Sequence, residues 1–375
     1  MELVVRKNDL LRELQLFQGI VERKNTIPIL ANVLMEAKGE EIKLLATDLE
    51  VGLRSRCQAA VSKGGTLTLP AKKLYEIVKS FPETDVRIEE DKNGVKVAAD
   101  RFDSRMQTQP PQDFPAVPES SGEATSTLSA ASIRAMVAKT QFAITGEDTR
   151  YFLNGALFIL QPESMTLVAT DGHRLALVSV QRPKGSGKGQ KEQKEEIRAI
   201  LPRKTLWELG KLLAEGDNGD ITYERGENHL FFQVGDRMLI SRMIDGQFPA
   251  FERVIPKGNT RQIEFERDRL TNAVRRVALL SNERSKAVKF AIDSGKVEVT
   301  SSSPEFGEAR EVIPVDYNDT AMQICFNAQY VLDFLNVVET DNVVLELKDE
   351  VSQAVMKPIG ADGYDYTYVI MPMRV

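Results

Sequence analysis

Residues that form covalent cross-links or reactive centres are scarce in this chain of 375 residues. It contains two cysteines, two histidines and one tryptophan. Cys57 and Cys325 lie far apart in apolar segments, which favours buried free thiols over a disulfide or a metal pair. CxxC, HExxH and GxSxG are all missing, so the sequence lacks the usual signatures of a zinc site, a metalloprotease or a serine hydrolase. We therefore expect no cofactor, no metal and no catalytic residues.

Long apolar runs are also missing. No run approaches the roughly 20 residues that cross a bilayer, and the N-terminal MELVVRKNDLLREL is charged where a signal peptide would be apolar. These features predict a cytoplasmic protein with no membrane contact. GSGKG in the segment 182–196 is not a phosphate loop, because Lys188 is followed by Gly189 rather than by Ser or Thr. The small and charged residues of 182–196 instead predict a mobile loop.

The chain contains one domain pattern three times. LPRKTLWELGKLL followed by DGQFPAFERVIP has an earlier counterpart in LPAKKLYEIVKSFP and QDFPAVP, and a later one in FNAQYVLDFLNVV and YVIMPMRV. Each copy alternates an amphipathic helix with short alternating runs, in the order helix, meander, helix, meander. This predicts an α+β fold in three tandem domains, 1–125, 126–257 and 258–375, separated by Ser, Gly and Pro-rich linkers.

One segment could be mistaken for an acid–base site. TDGHR places Asp171 two residues before His173, yet copy one has ATDLE in the same place, without the histidine. The shared Thr-Asp pair is more simply explained by turn chemistry, with Asp171 and Gly172 suited to a tight hairpin. An enzyme built on a repeated α+β fold would need a cluster of reactive side chains, such as a nucleophile with its base, and the sequence shows no such cluster.

Charge favours a nucleic-acid partner. The chain has a net charge of −6, but five of the six predicted helical windows are net positive. Solvated lysines and arginines on helices would explain part of this. However, Lys72, Lys73, Arg203 and Lys204 recur in the first turn of equivalent helices, where a positive charge opposes the helix dipole. Such residues suit contact with phosphates without reading bases.

Several motifs together resemble one family. YFLNGALF, VATDGHRLAL, LPRKTLWEL, DGQFPAFERVIP, LLSNER and the terminal YVIMPMRV are similar to the bacterial DNA polymerase III β subunits, the sliding clamps. The resemblance covers essentially the whole chain. It implies three DNA-clamp domains, each with two helices packed on antiparallel sheets, and a head-to-tail homodimer that forms a six-domain ring around duplex DNA. It further implies a processivity factor with no catalytic activity.

The resemblance also implies a groove between domains 2 and 3 for short linear peptides. Its expected ligands are the polymerase III catalytic subunit, the clamp-loader complex, other polymerases and repair proteins. The matching groove residues are Leu153, Thr170, Gly172, His173, Arg174, Leu175, Leu177, Pro249, Arg253, Val254, Asn327, Tyr330, Val351, Val369, Ile370, Met371, Pro372, Met373, Arg374 and Val375. Two methionines and a proline at the chain end suit an adaptable binding surface.

Two further sets of residues come from the same resemblance and the charge pattern. The expected DNA-facing residues are Arg23, Lys24, Lys72, Lys73, Arg150, Tyr151, Phe152, Arg203 and Lys204. The expected dimer contacts are Met106 against Leu279 and Leu280. Three positions depart from the family pattern: Glu147 replaces a polar amide in a DNA-touching loop, Ser104 an interface aromatic, and Ser285 an aromatic that can occur beside the groove.

One alternative from another class stays open at this point. A peptide-binding scaffold with no DNA role would have the groove but would tolerate loss of the helix-face charges. A ring that holds DNA topologically would instead need those charges and a second copy of the chain.

Overall fold

The computed structural model describes residues 1–21, 26–122, 125–146, 149–182, 196–215 and 219–374. Residues 183–195 of the predicted loop 182–196 lie outside these ranges, as do Arg23, Lys24, Glu147 and Val375. Within the described ranges, every helix is too short or too polar to cross a lipid bilayer.

Six α-helices occur in the described ranges, two in each copy of the repeat, as the sequence predicts. They are α1 (Lys7–Ile20), α2 (Ala71–Ser80), α3 (Ala130–Thr140), α4 (Arg203–Glu215), α5 (Arg267–Ala278) and α6 (Ala328–Val337). Leu10, Leu14 and Phe17 are fully buried along one face of α1, as expected for the amphipathic helix that the sequence predicts. The helix continues through Gly19, where a Cβ atom would lie 2.2 Å from a carboxylate oxygen of Glu208 on α4. Glycine therefore permits the close approach of two helices at this point.

The strands between the helices follow the same threefold pattern. Copy one contains β1 (Glu2–Arg6), β2 (Asn32–Lys38), β3 (Glu41–Thr47), β4 (Val51–Gln58), β5 (Ala60–Lys63), β6 (Gly65–Pro70), β7 (Asp85–Asp91), β8 (Gly94–Ala99) and β9 (Phe102–Met106). Copy two contains β10 (Thr125–Ser129), β11 (Gly155–Leu160), β12 (Ser164–Thr170), β13 (Arg174–Gln181), β14 (Ile197–Pro202), β15 (Asp220–Arg225), β16 (His229–Val234) and β17 (Arg237–Arg242). Copy three contains β18 (Arg261–Glu266), β19 (Ala287–Asp293), β20 (Lys296–Ser303), β21 (Gly307–Pro314), β22 (Met322–Asn327), β23 (Asn342–Leu347), β24 (Ala354–Ile359) and β25 (Asp365–Ile370).

Within the part of the chain that the structure describes, the strands form four antiparallel sheets. Their orders are β5-β1-β7-β8-β9, β10-β15-β16-β17-β4-β3-β2-β6, β14-β11-β12-β13-β25-β24-β23-β18 and β21-β20-β19-β22. Side chains alternate between buried and exposed along many strands, for example in β8, where Val95, Val97 and Ala99 are buried. Each eight-stranded sheet is made from four strands of one copy and four of the next.

The described residues fall into two compact units. The first contains Met1–Arg134 and Lys204–Met243, and the second contains the other described residues from 135 onward. The first unit holds the five-stranded sheet and one eight-stranded sheet, and the second holds the remaining two sheets. Compact units and repeats divide the chain differently because an eight-stranded sheet joins two copies. The domain boundaries at 125/126 and 257/258 remain predictions.

The last strand of one copy pairs with the fourth strand of the preceding copy at both junctions. We call β9, β17 and β25 the closing strands, and β4, β13 and β21 the fourth strands. The closing strand β17 pairs with β4, and β25 pairs with β13, both antiparallel. The closing strand β9 and the fourth strand β21 each lie at the edge of their sheet.

The segment after β9 is anchored to the first unit. Arg54 Nη2 donates a hydrogen bond of 2.6 Å to the carbonyl of Val117. The buried carboxylate of Glu224 on β15 accepts hydrogen bonds from the Ser120 hydroxyl, from the Ser121 amide (2.9 Å) and hydroxyl (2.8 Å), and from the Gly122 amide (3.0 Å). Although burial favours the neutral acid, these donors outweigh it and lower the pKa of Glu224 below its ordinary value.

Both cysteines are free thiols; Cys57 is buried, as predicted, whereas Cys325 is only half-buried. Burial raises the pKa of Cys57 to about 12, and burial also raises the pKa of the half-buried Cys325. Both thiols are therefore protonated near neutral pH, which makes them poor nucleophiles and poor metal ligands.

Candidate functional site

An apolar core cluster in the second unit contains several of the residues predicted for the peptide groove, and we call it the floor of the candidate groove. It consists of the buried residues Leu157, Ile159, Val168, Leu175, Ile200, Phe248, Phe251, Val355 and Val369, with Phe152, Leu177, Ile244 and Ile255 partly buried against it. Strands β11, β12, β13, β14, β24 and β25 contribute, because β25 of copy three pairs directly with β13 of copy two. The sheet junction thus places side chains from both copies in one apolar surface.

The Thr170–Arg174 turn lies at one end of this surface. The Thr170 hydroxyl donates to the Arg174 carbonyl (2.6 Å) and accepts from the Gly172 amide (3.1 Å). One carboxylate oxygen of Asp171 accepts from the amides of His173 (2.9 Å) and Arg174 (3.0 Å). Asp171 is therefore occupied as a turn-forming acceptor, which confirms the structural interpretation of the TDGHR motif.

The equivalent turn of copy one has the same hydrogen bonds. The Thr47 hydroxyl donates to the Val51 carbonyl and accepts from the Leu49 amide, and Asp48 accepts from the amides of Glu50 and Val51. Leu49 has φ 80°, and Gly172 at the equivalent position has φ 86°. The turn requires a residue with a left-handed backbone conformation at this position. Copy two has glycine there, which adopts this conformation readily, whereas copy one has leucine.

Arg174 connects this turn to helix α6. Its side chain is only 9% exposed. The guanidinium donates to Asp171 (3.0 Å), to Asp333 on α6 (2.5 Å) and to the carbonyl of Phe142 (2.6 Å). It also lies over the ring of Tyr330, 4.2 Å from the centroid. Both carboxylates neutralise this buried cation, so its contacts position the turn and α6 relative to each other.

The C-terminal residues run beside the same turn. The Met371 amide donates to the His173 carbonyl (2.9 Å), and the Met373 amide donates to the Cys325 carbonyl on β22 (2.8 Å). Met371 is 41% exposed, and Pro372 and Met373 are half-buried. Two backbone hydrogen bonds thus hold the tail in place while apolar side chains stay accessible.

The other predicted groove residues are distributed between floor and rim. Leu153 and Ile370 are buried, His173 is exposed, and Tyr330 is half-buried. The exposed rim residues are Pro249, Arg253, Val254, Val351 and Arg374. Asn327 caps α6 by accepting from the Gln329 amide (2.9 Å) and donates from Nδ2 to the Ser285 carbonyl (3.5 Å). The structure brings together in one unit stretches that are distant in sequence, but the peptide-binding role of these residues remains a prediction.

The predicted DNA-facing residues have different surroundings. Lys72 and Lys73 lie in the first turn of α2, where Lys73 is exposed and pairs with Glu76 (2.6 Å). Lys204 donates to Asp48 (2.5 Å) and to the Ile20 carbonyl (3.0 Å), so its charge is already matched within the first unit. Arg203, the first residue of α4, is exposed. Phosphate contact by each of them remains a prediction.

Arg150, Tyr151 and Phe152 precede β11 in the second unit. The Arg150 guanidinium lies 3.4 Å from the position that a Cβ atom at Gly172 would occupy. Tyr151 is 57% exposed, and its ring lies 5.9 Å from that of the half-buried Phe152. A segment predicted to touch DNA therefore also packs against the Thr170–Arg174 turn.

The predicted dimer contacts lie on sheet edges and a helix end. Met106 is buried at the end of β9, Leu279 is 76% exposed just after α5, and Leu280 is half-buried. Ser104 is half-buried and donates to the Val97 carbonyl of its own sheet (2.9 Å). The exposed aromatic residues in these regions are Phe102 on β9 and Phe306 before β21.

Sequence reasoning missed the residues that support these sites. The Asp333 carboxylate and the Phe142 carbonyl accept hydrogen bonds from Arg174. Neither residue belongs to a sequence motif, so only the folded structure reveals that they lie close to Arg174. Phe248 and Phe251 of the DGQFPAF segment are floor residues whose apolar character was visible but whose placement was not. In the described ranges, no three His, Cys, Asp or Glu side chains are grouped closely enough to hold a metal ion.

Comparison with known proteins gives matches along nearly the whole chain. Three family models match: the N-terminal (residues 1–118), central (127–250) and C-terminal (252–374) domains of the DNA polymerase III beta subunit. The chain is 38% identical to the beta sliding clamp of Pseudomonas putida and 35% identical to that of Escherichia coli K12, each covering 100% of both chains. Crystal structures of sliding clamps from Bartonella birtlesii and Pseudomonas aeruginosa superpose with TM-scores of 0.93 and 0.92, at 34% and 35% identity over 100% of both chains.

Proposed function

Because this chain belongs to the DNA polymerase III beta subunit family, we propose that it is a processivity factor that encircles duplex DNA and acts without catalysis. The observation that carries the proposal is the unmatched pair of sheet edges. Two closing strands already pair with fourth strands inside the chain, while β9 and β21 remain at edges. A second copy supplies the missing partner for each edge, so two chains close head to tail into a ring of six repeats.

Sequence-independent DNA binding fits the chemistry of the helices. Lys72 and Lys73 in the first turn of α2 and Arg203 in the first turn of α4 would attract phosphates but carry no base-reading pattern. Phosphate contacts alone weaken strongly with salt, whereas a closed ring leaves DNA only at an end or by opening. The ring therefore slides while it stays linked.

The apolar surface at the β13–β25 junction would attach partner proteins to this ring. It combines a buried apolar floor, an accessible Met371 and a rigid turn, which suits a short linear peptide with apolar anchors. We assign to it the polymerase catalytic subunit, the clamp loader, other polymerases and repair proteins. Tethering raises the local concentration of a polymerase without strengthening its own grip on DNA. The protein would act in the cytoplasm, with no membrane contact.

The test combines mass measurement with DNA retention. Light scattering should give twice the chain mass of 41.9 kDa. After loading on nicked circular DNA by a clamp loader, the protein should stay on the circles through gel filtration at high salt. It should be lost once a restriction enzyme linearises the same DNA. A single-chain mass at every concentration, or equal retention on linear DNA, would contradict the proposal and leave a peptide-binding scaffold.

A further inference from the structure

Helix α4 has an exposed aromatic residue on its outer face. Trp207 is the single tryptophan of the chain and is 52% exposed. Lys211 follows it by one helical turn, and its ammonium lies 6.0 Å from the centroid of the indole ring. Lys211 also contacts the buried carboxylate of Glu208 (2.8 Å), which holds the ammonium beside the ring. An aromatic surface and a fixed cation are therefore presented to solvent together.

Helix α2 has the same arrangement at the equivalent positions. LPAKKLYEIVK aligns with LPRKTLWELGK, so Tyr75 corresponds to Trp207 and Lys79 to Lys211. The Lys79 ammonium lies 5.5 Å from the ring centroid of the half-buried Tyr75. We call Trp207–Lys211 and Tyr75–Lys79 the aromatic–lysine pairs. The sequence thus has such a pair in two of its three copies.

The third copy shows that the fold does not need the pair. Its equivalent helix, α6, has Leu332 and Asn336 at these positions, with neither an aromatic ring nor a lysine. The core-facing Val331 of α6 is nevertheless buried, as is the equivalent Leu74 of α2. Core packing therefore accounts for Leu74 and Val331 but does not account for the aromatic–lysine pairs.

The two pairs lie in one helical layer of the first unit. Gln18 of α1 donates a hydrogen bond of 3.4 Å to the Ala71 carbonyl at the start of α2. Gly19, the next residue of α1, packs directly against Glu208 of α4. The first-turn lysines of α2 and α4 belong to the same layer. The aromatic rings therefore share this layer with several cations, which favours an anionic partner.

Unpaired bases of DNA match the chemistry of these pairs. An aromatic side chain stacks on the face of a base, and a nearby cation contacts the phosphate beside it. In duplex DNA the faces of the bases are covered by neighbouring base pairs, so an exposed indole gains little there. A protein partner matches less well, because the centre of a protein interface is a contiguous apolar patch. Within Arg203–Glu215, all of which the structure describes, Trp207 is the one large apolar side chain that is exposed.

We propose that the aromatic–lysine pairs form a binding site for single-stranded DNA, in which Trp207 stacks on unpaired bases. This inference rests on the proposed contact of α2 and α4 with DNA. It adds a preference for unpaired strands, which phosphate contact alone does not provide. Trp207 supplies most of the stacking surface, because it is larger and more exposed than Tyr75. A chain that slides on duplex DNA thus also holds an unpaired strand where the duplex ends.

The single tryptophan gives a direct readout, because stacking on a base quenches indole fluorescence. Oligothymidylate of about 16 nucleotides should quench the wild-type chain, whereas duplex DNA with the same number of phosphates should not. Fluorescence anisotropy of labelled oligonucleotides then measures both affinities as a function of salt. Trp207→Ala should weaken binding of the single strand by roughly tenfold and change the duplex affinity by less than about twofold. Because no phosphate contact is lost, the slope of log affinity against log salt should stay that of wild type.

Two further variants serve as controls. Leu332→Ala changes the equivalent position of α6 and should bind both kinds of DNA like wild type. Trp207→Phe should keep part of the single-strand affinity, because a smaller aromatic ring still stacks. Circular dichroism checks that each variant folds.

Three results would overturn the inference: fluorescence that the single strand does not quench, quenching that is as strong with duplex, or an unchanged single-strand affinity of Trp207→Ala. Quenching by a polymerase-tail peptide without quenching by DNA would identify a protein contact and would overturn it as well. The proposed ring fails on different evidence, since retention on circles is measured with the wild-type chain and duplex DNA. A monomeric wild-type chain that still binds oligothymidylate through Trp207 would contradict the ring and leave the stacking site in place.

Discussion

Replacing Arg174 with methionine should loosen the candidate peptide groove from beneath. The substitution keeps much of the side-chain volume but removes the charge that joins Asp171 of the turn, Asp333 of α6 and the Phe142 carbonyl. The side chains of the two carboxylates are only 14% and 20% exposed, so each would be left partly buried without its partner. We expect the turn and α6 to separate and peptide affinity to fall.

The size of the effect follows from those contacts. Removing one member of a buried ion pair costs about 3–5 kcal/mol. Because both aspartates are partly exposed, water can solvate the carboxylates after Arg174 is removed, which reduces the expected loss of stability to about 2–4 kcal/mol. In a folding unit of this size, that corresponds to a fall of roughly 5–15 °C in the midpoint of thermal unfolding. Differential scanning calorimetry measures the midpoint, and fluorescence anisotropy with a labelled polymerase-tail peptide measures the affinity.

Two comparisons make the result decisive. Arg6→Ala removes an exposed arginine in the first unit and should leave both readouts unchanged. Asp333→Asn combined with Arg174→Met should cost less than the sum of the single changes, because the pair acts as a unit. A midpoint within about 1 °C of wild type for Arg174→Met would refute the assignment of Arg174 as the connection between turn and helix.

Two further predictions concern the chain end and the segment after β9. Deleting Met371–Val375 should abolish peptide binding while leaving the unfolding midpoint nearly unchanged, because the described tail residues contribute two backbone hydrogen bonds and no fully buried side chain; unchanged affinity in the anisotropy assay would remove the tail from the groove. Glu224→Gln should lower the free energy of unfolding by about 1–2 kcal/mol at pH 7, since a charged acceptor of four hydrogen bonds is lost. The pKa of Glu224 is lowered in the fold, so wild type has this stability above the ordinary glutamate pKa of about 4.3 and loses it as the pH falls through the folded value. Denaturant titrations at decreasing pH should therefore show the stability difference between the two proteins shrinking below the ordinary glutamate pKa, with the exposed Glu227→Gln as control, and a difference as large at pH 3 as at pH 7 would contradict the linkage.

The sequence was sufficient for the helices, the threefold repeat and the turn. Helix α1 follows from the spacing of Leu10, Leu14 and Phe17, because one face of a helix must be apolar to pack. The turn at Asp171 was predictable because its carboxylate accepts hydrogen bonds from amides only two and three residues later in the chain, so the turn depends on local geometry alone. The family resemblance predicts the remaining groove positions without explaining their packing, and their peptide-binding role stays a prediction.

Long-range partners could not be read from the sequence. Asp333 pairs with Arg174 across many intervening residues, and no local pattern distinguishes it from other acidic residues on helices. The partners of Lys204 were equally unpredictable. Its position in the first turn of α4 suggested contact with phosphate, but the structure pairs it with Asp48 and with a backbone carbonyl. The sequence also did not predict that strands of two copies pair within one sheet. Hydropathy indicates which face of a strand is buried, but it does not indicate which strand lies beside it.

The repeated strand junction determines where a ring of this kind can part. The β17–β4 and β25–β13 junctions join segments of one polypeptide, so a transient break there is reversed at once by the high effective concentration of the tethered strand. The β9–β21 junction would use the same backbone hydrogen bonds but with no covalent tether behind it. The three kinds of joint would then differ in lifetime because of connectivity alone. We therefore predict that a ring of two such chains opens at the β9–β21 junction, where the polypeptide is interrupted.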